Sequence, residues 1–244
     1  MIQKDQPTCF PENVQVILSS VDDGTMLDRS IGVHEASIVS NRQKFCENNG
    51  VDYKNVVYQR IVYSSARTYD LIAEVDDGST TKNTPEIVAD ALYTRAKNVA
   101  LMLPVADCVA TVAYDPKTET LAVLHLGRHS TMTTLLPRLL QKMVDEGADS
   151  SNIVVWMSPN AHADHYVMRY FDRVNDPDWQ NFCDKQADGY HIDLQGYNRS
   201  VCLKYGLRNK NIYTSPIDTI TSPDYFSYSA GDTHGRFVAL AMIH

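Results

Sequence analysis

The stretch from 105 to 127 decides the fold, and it reads VADCVATVAYDPKTETLAVLHLG. Two runs in it, Cys108 to Ala113 and Thr120 to Leu126, have the length and apolar character of buried strands. The segment between them, Asp115-Pro116-Lys117-Thr118, has the residues of a tight turn. The pattern therefore predicts an antiparallel hairpin.

This hairpin brings a thiol and an imidazole to the same open end. Cys108 starts the first strand and His125 ends the second, so directly opposed side chains would have Cβ atoms within about 5 Å. An imidazole can take the thiol proton to give a nucleophile, or both groups can bind a soft divalent metal. Asp107 joins them as a candidate, because an acid is costly to bury without a partner. Cys108, His125 and Asp107 are the predicted catalytic residues; the alternative is a buried cysteine and histidine that only pack.

The rest of the chain interleaves strands with helices and predicts a mixed α/β (α+β) fold. No repeat or linker divides the sequence, so residues 1–244 are expected to form a single domain. Helical periodicity predicts helices at 85–96, 135–144 and 194–205. Further strands are predicted at Val14 to Leu18, Val56 to Val62, Tyr69 to Ala73, Val99 to Met102, Ile153 to Met157 and Phe237 to Ile243.

Composition limits the possible partners. The 244 residues include 22 Lys and Arg against 30 Asp and Glu, a formal charge of −8. Without a concentrated basic surface, nucleic acids and anionic membranes are unlikely partners. The first 20 residues lack the apolar core of a signal peptide, and no apolar run approaches a membrane span, so a cytoplasmic location is expected. Five widely spaced cysteines without a Cys-x-x-Cys pair predict neither a disulfide framework nor a zinc ribbon.

Several motifs together resemble those of the laccase-domain family, also called YfiH-like or multicopper polyphenol oxidase proteins. The resemblance spans roughly residues 30 to 243. The segments that carry it are Asn41-Arg42, Asp90-Ala-Leu-Tyr-Thr94, Val99 to Cys108, Tyr114-Asp115-Pro116, His125-Leu-Gly127, Phe226-Ser227-Tyr228 and Thr233-His234-Gly235-Arg236.

The resemblance implies a single YfiH-like α/β domain with a zinc-type ion on a histidine, a cysteine and a second histidine. It implies a purine nucleoside enzyme that uses phosphate to split adenosine, inosine or guanosine, and in some members deaminates adenosine. The partners would be a nucleoside and phosphate. Multicopper oxidation does not fit, because eight scattered histidines without a His-x-His pair cannot build several copper sites.

The implied metal site carries over only in part. Cys108 and His125 match two ligands, whereas Tyr63 stands where the family has its first histidine. A phenol, with a pKa near 10, is a poor zinc ligand at neutral pH. The hypothesis is that His165 or His162 supplies the missing imidazole, aided by Asp164. The alternative is that this His-Ala-Asp-His segment is a solvated polar loop.

The same resemblance suggests substrate-binding residues. They are Tyr63, Arg42, His129 and Arg236, of which Arg236 matches the family tail that helps to build the pocket wall. His129 replaces a family arginine, which weakens phosphate capture because a neutral imidazole lacks the charged fork of a guanidinium. Arg128 takes the place of a tryptophan, and Ser229 the place of another arginine.

Three hypotheses follow. The first is a zinc-type purine nucleoside enzyme, which needs a replacement for the lost ligand. The second is a metal-free hydrolase with Cys108 as nucleophile and His125 as base. The third is a degenerate homologue that keeps the fold and acts as a binding protein.

Overall fold

The structure is a computed structural model and describes residues 5–27 and 35–244. Within these ranges the chain forms fourteen strands and four α-helices. The strands are β1 Val14–Leu18, β2 Val56–Arg60, β3 Ile72–Glu74, β4 Ile87–Val88, β5 Ala91–Thr94, β6 Ala100–Val105, β7 Val109–Asp115, β8 Thr120–Leu126, β9 Val154–Met157, β10 Val167–Met168, β11 Cys183–Lys185, β12 Tyr190–Ile192, β13 Ile212–Thr214 and β14 Phe237–Ile243. The helices are α1 Ala36–Asn48, α2 Arg128–Thr131, α3 Leu135–Asp145 and α4 Leu194–Lys204.

Two mixed sheets form the centre of the molecule. One has the strand order β1-β14-β6-β2-β4 and the other the order β13-β9-β7-β8-β5-β3. A three-stranded sheet, β10-β12-β11, packs beside them. Mixed sheets flanked by helices confirm the predicted fold class.

The buried side chains form three clusters that explain the layering. One cluster joins alternate residues of β7 and β8 to those of β6 and β14, and so lies between the two large sheets. A second lies on the opposite face of the β7–β8 sheet, under α3 and α4. The third covers the outer face of the other sheet, where Phe45 and Cys46 of α1 pack. The arrangement is helix, sheet, sheet, helix, with apolar area removed from water at every contact.

The predicted hairpin is confirmed. Strands β7 and β8 pair antiparallel from Val109↔Leu126 to Asp115↔Thr120. The Asp115 carboxylate accepts hydrogen bonds from the Thr118 backbone N–H at 2.8 Å and from its hydroxyl at 2.7 Å, which closes the turn.

The predicted helices had mixed success. Those at 135–144 and 194–205 are confirmed by α3 and α4, but the helix at 85–96 is wrong. That segment forms β4 and β5 instead. Strand β5 is buried on both faces, paired antiparallel with β8 and parallel with β3, so tertiary pairing overrides a helical spacing of apolar residues. Helix α1 was not predicted.

The strands at both ends of the chain match their predicted bounds. Strand β1 pairs with β14 over its whole length, from Val14↔Ile243 to Leu18↔Ala239. In the described ranges, no helix is long and apolar enough to span a lipid bilayer.

Candidate functional site

The open end of the hairpin forms the floor of a cavity. We define this floor as Cys108, His125 and Gly127. His125 pairs with Ala110, two residues after Cys108. The two side chains are therefore diagonal neighbours on one face of the hairpin and are not directly opposed. A Cβ atom placed on Gly127 would lie 2.8 Å from Cys108 Sγ and 3.4 Å from His125 Nε2. Both reactive atoms thus border one small space that only a glycine leaves open.

His125 is buried and neutral at physiological pH. Its side chain is only 4% exposed. Burial, with a further contribution from the charge of Arg236, lowers the pKa of the imidazole to about 4. Nε2 lies 3.4 Å from the Tyr63 hydroxyl, whereas buried Nδ1 has no hydrogen-bond partner among the described residues.

Cys108 keeps its proton. Burial raises the pKa of the thiol to about 12, and the nearby charge of Asp107 acts in the same direction. A cysteine hydrolase needs the opposite arrangement, a thiolate stabilised by a protonated histidine. The geometry therefore gives little support to the hydrolase hypothesis.

Asp107 connects the floor to the C-terminal part of the chain. Its backbone φ is +69°, a left-handed conformation that is uncommon outside glycine. One carboxylate oxygen accepts a hydrogen bond from the Thr219 hydroxyl at 2.8 Å and the other from the Ser229 backbone N–H at 2.6 Å. These contacts suit a residue that positions Cys108; a direct catalytic role for Asp107 stays a prediction.

Aromatic rings and a basic side chain form the rim of the cavity. We define this rim as Tyr63, Tyr69, Arg128 and His129. The Tyr69 and His129 rings stack with centroids 4.7 Å apart. The Tyr63 ring is 62% exposed and meets His125 edge-on at 6.2 Å. Tyr69 was missed by the sequence reasoning, because nothing in its local pattern separates it from other surface tyrosines.

Arginines make the cavity basic in an acidic protein. Arg60, Arg128 and Arg236 line it, and Asp107 is the only acidic side chain among the described lining residues. Arg60 also binds Glu86 at 2.8 Å. Arg236 was predicted at the wall and lies there, whereas Arg60 was not anticipated.

A buried ion pair joins the rim to the floor. The Arg67 guanidinium donates to the Asp90 carboxylate at 2.8 Å and to the Val62 carbonyl at 2.7 Å, next to Tyr63. The Asp90 backbone carbonyl accepts a hydrogen bond from the N–H of His125 at 2.9 Å. Asp90 is fully buried, and burial raises the pKa of its carboxyl. Sequence reasoning quoted Asp90 as a motif residue but missed this connection.

Two predicted site residues lie outside the cavity lining. Arg42 is completely buried, with its guanidinium 3.7 Å from the centre of the Tyr58 ring and its Nε donating to the Met26 carbonyl at 2.8 Å. Assigning it to substrate was wrong, because α1 turns the side chain into the core. His165 is 49% exposed and its Nδ1 lies 2.6 Å from Asp218, so it does not reach Cys108 or His125.

One residue of the segment around His165 borders the cavity. Tyr166 lines the cavity, whereas His162 and Asp164 do not. The position of His165 against Asp218 does not favour the hypothesis that it replaces the lost imidazole, and the same role for His162 stays a prediction. The loop places the half-exposed His165 against the mostly buried Asp218 carboxylate, and of its residues Tyr166 lines the cavity.

The cavity has a volume of about 640 Å³. Pockets that hold small organic ligands measure about 300–1,000 Å³. The space therefore suits a ligand with one ring system and one anionic group.

The donor set at the floor does not match the zinc-type ion that the family resemblance implies. Cys108 and His125 offer one sulfur and one nitrogen, and the third neighbour is the phenol of Tyr63. In residues 5–27 and 35–244, no three His, Cys, Asp or Glu side chains come together in a way that could hold a metal ion. A catalytic zinc needs three protein ligands as a rule.

Fold and site together define a class of layered α/β proteins with a cysteine–histidine cavity at the edge of two packed sheets. The sequence profile described as "Multi-copper polyphenol oxidoreductase laccase" matches residues 22–244. The chain belongs to this family.

Comparisons with individual proteins agree. The chain is 26% identical to purine nucleoside phosphorylase YlmD of Bacillus subtilis over 220 residues, which covers 86% of this chain and 78% of the relative. It is 26% identical to adenosine deaminase RL5 from an unknown prokaryotic organism, covering 79% and 76%. The crystal structure of YfiH from Bacillus licheniformis superposes with a TM-score of 0.80 at 22% identity, covering 95% and 93%, and confirms the fold.

Proposed function

We propose that the chain binds a purine nucleoside together with phosphate and splits the nucleoside into free base and ribose 1-phosphate. One observation carries the proposal: both aromatic rings and arginines line the same cavity of about 640 Å³. The Bacillus subtilis relative named as a purine nucleoside phosphorylase supports the same reaction.

The rim supplies surfaces for the purine. Tyr69 and His129 already stack on each other, and Tyr63 lies 6.2 Å from Tyr69 between ring centres. A planar base can extend such a stack, and each aromatic contact contributes about 0.5–1.5 kcal/mol beyond the area it buries. Leu27 and Ile61 add apolar surface to the same cavity.

The arginines supply the site for the anion. Arg128 and Arg236 line the cavity from the segment after β8 and from the C-terminal part of the chain. Guanidinium groups bind phosphate through paired N–H donors. The Asp107 carboxylate, which would repel phosphate, has both oxygens engaged by Thr219 and Ser229.

The chemistry needs little more than positioning. A phosphate oxygen forms a bond to C1′ of the ribose as the bond from C1′ to the purine nitrogen breaks. The electron pair stays on the purine, and the proton of hydrogen phosphate ends on the leaving base. Holding both reactants in line accounts for much of such a rate enhancement. The Tyr63 hydroxyl, which faces the cavity beside His125 Nε2, is placed to donate a hydrogen bond to the base.

The test is to incubate the purified chain with adenosine, inosine or guanosine, each with and without phosphate, and to separate the products by chromatography. We expect free base and ribose 1-phosphate only when phosphate is present. Inosine formed from adenosine without phosphate would identify deamination instead. Nucleoside binding by calorimetry without turnover would favour the binding-protein hypothesis, and neither binding nor turnover would overturn the proposal.

Two variants assign the roles of the walls. Tyr69→Leu should raise KM for the nucleoside by up to about tenfold, the equivalent of one lost aromatic contact. Arg236→Gln should mainly raise KM for phosphate. Tyr213→Leu and Arg208→Gln are matched controls, because neither residue lines the cavity, and both should leave the kinetics unchanged. Equal effects on both substrates from either cavity variant would contradict the separation into a base wall and a phosphate wall.

A further inference from the structure

We infer that Tyr63 takes the position of the third metal ligand and that the Cys108–His125 pair holds no resident zinc-type ion. The family resemblance implies such an ion, so this inference departs from the family. It concerns metal binding alone and does not depend on phosphorolysis.

The shortage of donors is the first argument. A zinc site in a protein uses four ligands when structural and three plus water when catalytic. The floor offers only the sulfur of Cys108 and Nε2 of His125 within reach of the same point. Two ligands leave an ion mostly hydrated and easily lost.

His162 lies outside the cavity lining, and the other candidate donors are engaged elsewhere. His165 is held by Asp218 at 2.6 Å, and the His129 ring is stacked on Tyr69. Both oxygens of Asp107 accept hydrogen bonds from Thr219 and Ser229. Recruiting any of them would break a contact that the present fold makes.

The second nitrogen of His125 gives an independent argument. A histidine that binds a metal through one nitrogen almost always donates its other N–H to a carboxylate, a carbonyl or water, which fixes the ring. Nδ1 of His125 is buried, and no carboxylate or carbonyl of the described residues partners it. The imidazole therefore lacks the support that accompanies a metal-binding histidine.

Tyr63 fills the position in a different way. Its hydroxyl lies 3.4 Å from His125 Nε2, and its side chain lines the same cavity as Cys108. A phenol keeps its proton at neutral pH. The hydroxyl therefore partners the imidazole nitrogen that an ion would otherwise bind, and the phenol lies in the cavity beside the thiol.

This geometry predicts that one substitution creates a metal site. Tyr63→His should put a third nitrogen or sulfur donor beside the floor. Because the Tyr63 side chain is 62% exposed, the change should not disturb folding, and circular dichroism and thermal melting check this. Tyr63→Phe is the matched control, since it removes the hydroxyl without adding a ligand.

The experiment measures metal without requiring activity. Wild type, Tyr63→His, Tyr63→Phe and Tyr63→His/Cys108→Ser are stripped with chelator, loaded with Zn²⁺ or Co²⁺, desalted and analysed for metal content. Cobalt adds a visible spectrum with a sulfur-to-metal band when Cys108 binds. We expect Tyr63→His to retain about one ion per chain with that band, and the other three proteins to retain almost none.

Two results would overturn the inference. One is a wild-type chain that retains about one ion and shows the sulfur-to-metal band of Cys108. The other is a folded Tyr63→His variant that binds no more metal than Tyr63→Phe, because Tyr63 would then not occupy a ligand position. Either result leaves the phosphorolysis assay free to succeed or fail separately.

Discussion

The floor and the rim of the cavity are built by different means. The floor lies at the end of β7 and β8, where a continuous ladder of backbone hydrogen bonds sets the register and Gly127 leaves room for two side chains. The rim stands on loops and on the short helix α2, and single contacts hold it in place. The floor keeps the cysteine and histidine expected from the family resemblance, whereas the rim differs from it at Tyr63, Arg128 and His129. The strand register therefore fixes the geometry of the floor, whereas residues on loops can be replaced without disturbing the sheet.

The ion pair of Arg67 and Asp90 is where the two regions depend on each other, and Asp90→Ala should have the largest effect. It removes the acceptor for Arg67 and for the Leu71 backbone N–H, and it leaves a mostly buried guanidinium unpaired. We expect the free energy of unfolding to fall by about 3 kcal/mol, the low end for a broken buried pair because Arg67 is partly exposed. Urea denaturation measures it.

The matched control is Asp178→Asn, which breaks the exposed pair with Lys204 and should leave stability unchanged. If Asp90→Ala costs no more than this control, the rim and the floor are not coupled through Asp90.

Gly127→Ala tests whether the floor depends on an empty space. The added methyl carbon would lie 2.8 Å from Cys108 Sγ and 3.0 Å from His125 Cε1, so at least one of them must move. Overpacking of this kind costs about 1–3 kcal/mol. We also expect reduced nucleoside turnover, measured together with urea denaturation. Ser200→Ala in helix α4 is the control. Gly50→Ala is unsuitable because the φ of +71° at Gly50 would add backbone strain. A Gly127→Ala protein with unchanged stability and kinetics would show that the floor tolerates filling.

Asp232→Asn should have the smallest effect and reports on the turn that precedes Arg236. The backbone N–H groups of Gly235, at 2.7 Å, and His234, at 2.9 Å, donate to its carboxylate and lower its pKa. The unfolded state therefore binds the proton more readily. The carboxylate stabilises the fold above its unfolded pKa of about 3.9, and this contribution disappears as pH falls through the folded pKa.

We expect Asp232→Asn to lower the free energy of unfolding by about 0.5 kcal/mol at neutral pH, with the difference from wild type vanishing in acid. Urea denaturation over a pH series is the measurement. A difference that persists unchanged at low pH would contradict the ionic explanation.

Much of the fold could be predicted from local pattern. Strands β1 and β14, helices α3 and α4 and the β7–β8 hairpin follow from apolar periodicity and turn residues. The segment at 85–96 failed because its apolar spacing fits a helix, yet β5 is buried on both faces between β3 and β8. Periodicity cannot separate a doubly buried strand from a buried helix when the run is short.

The site divides in the same way. Cys108 and His125 could be paired from sequence because only a tight turn separates their strands. His165 and Arg42 could not be placed, since their surroundings come from segments far along the chain: Asp218 for the first, Met26 and Tyr58 for the second. For the same reason, the stacking of Tyr69 on His129 and the ion pair of Arg67 with Asp90 could not be predicted from the sequence.

The sequence by itself determined the hairpin, the thiol and imidazole at its open end, and a phenol where the family has an imidazole. Only the tertiary structure decided that His165 lies against Asp218, that arginines line the cavity, and that one ion pair connects rim and floor. The physical reason is the distance along the chain over which each kind of interaction acts. Turn chemistry and side-chain alternation act over a few residues, whereas the neighbours of a loop side chain are set by how whole sheets and helices pack.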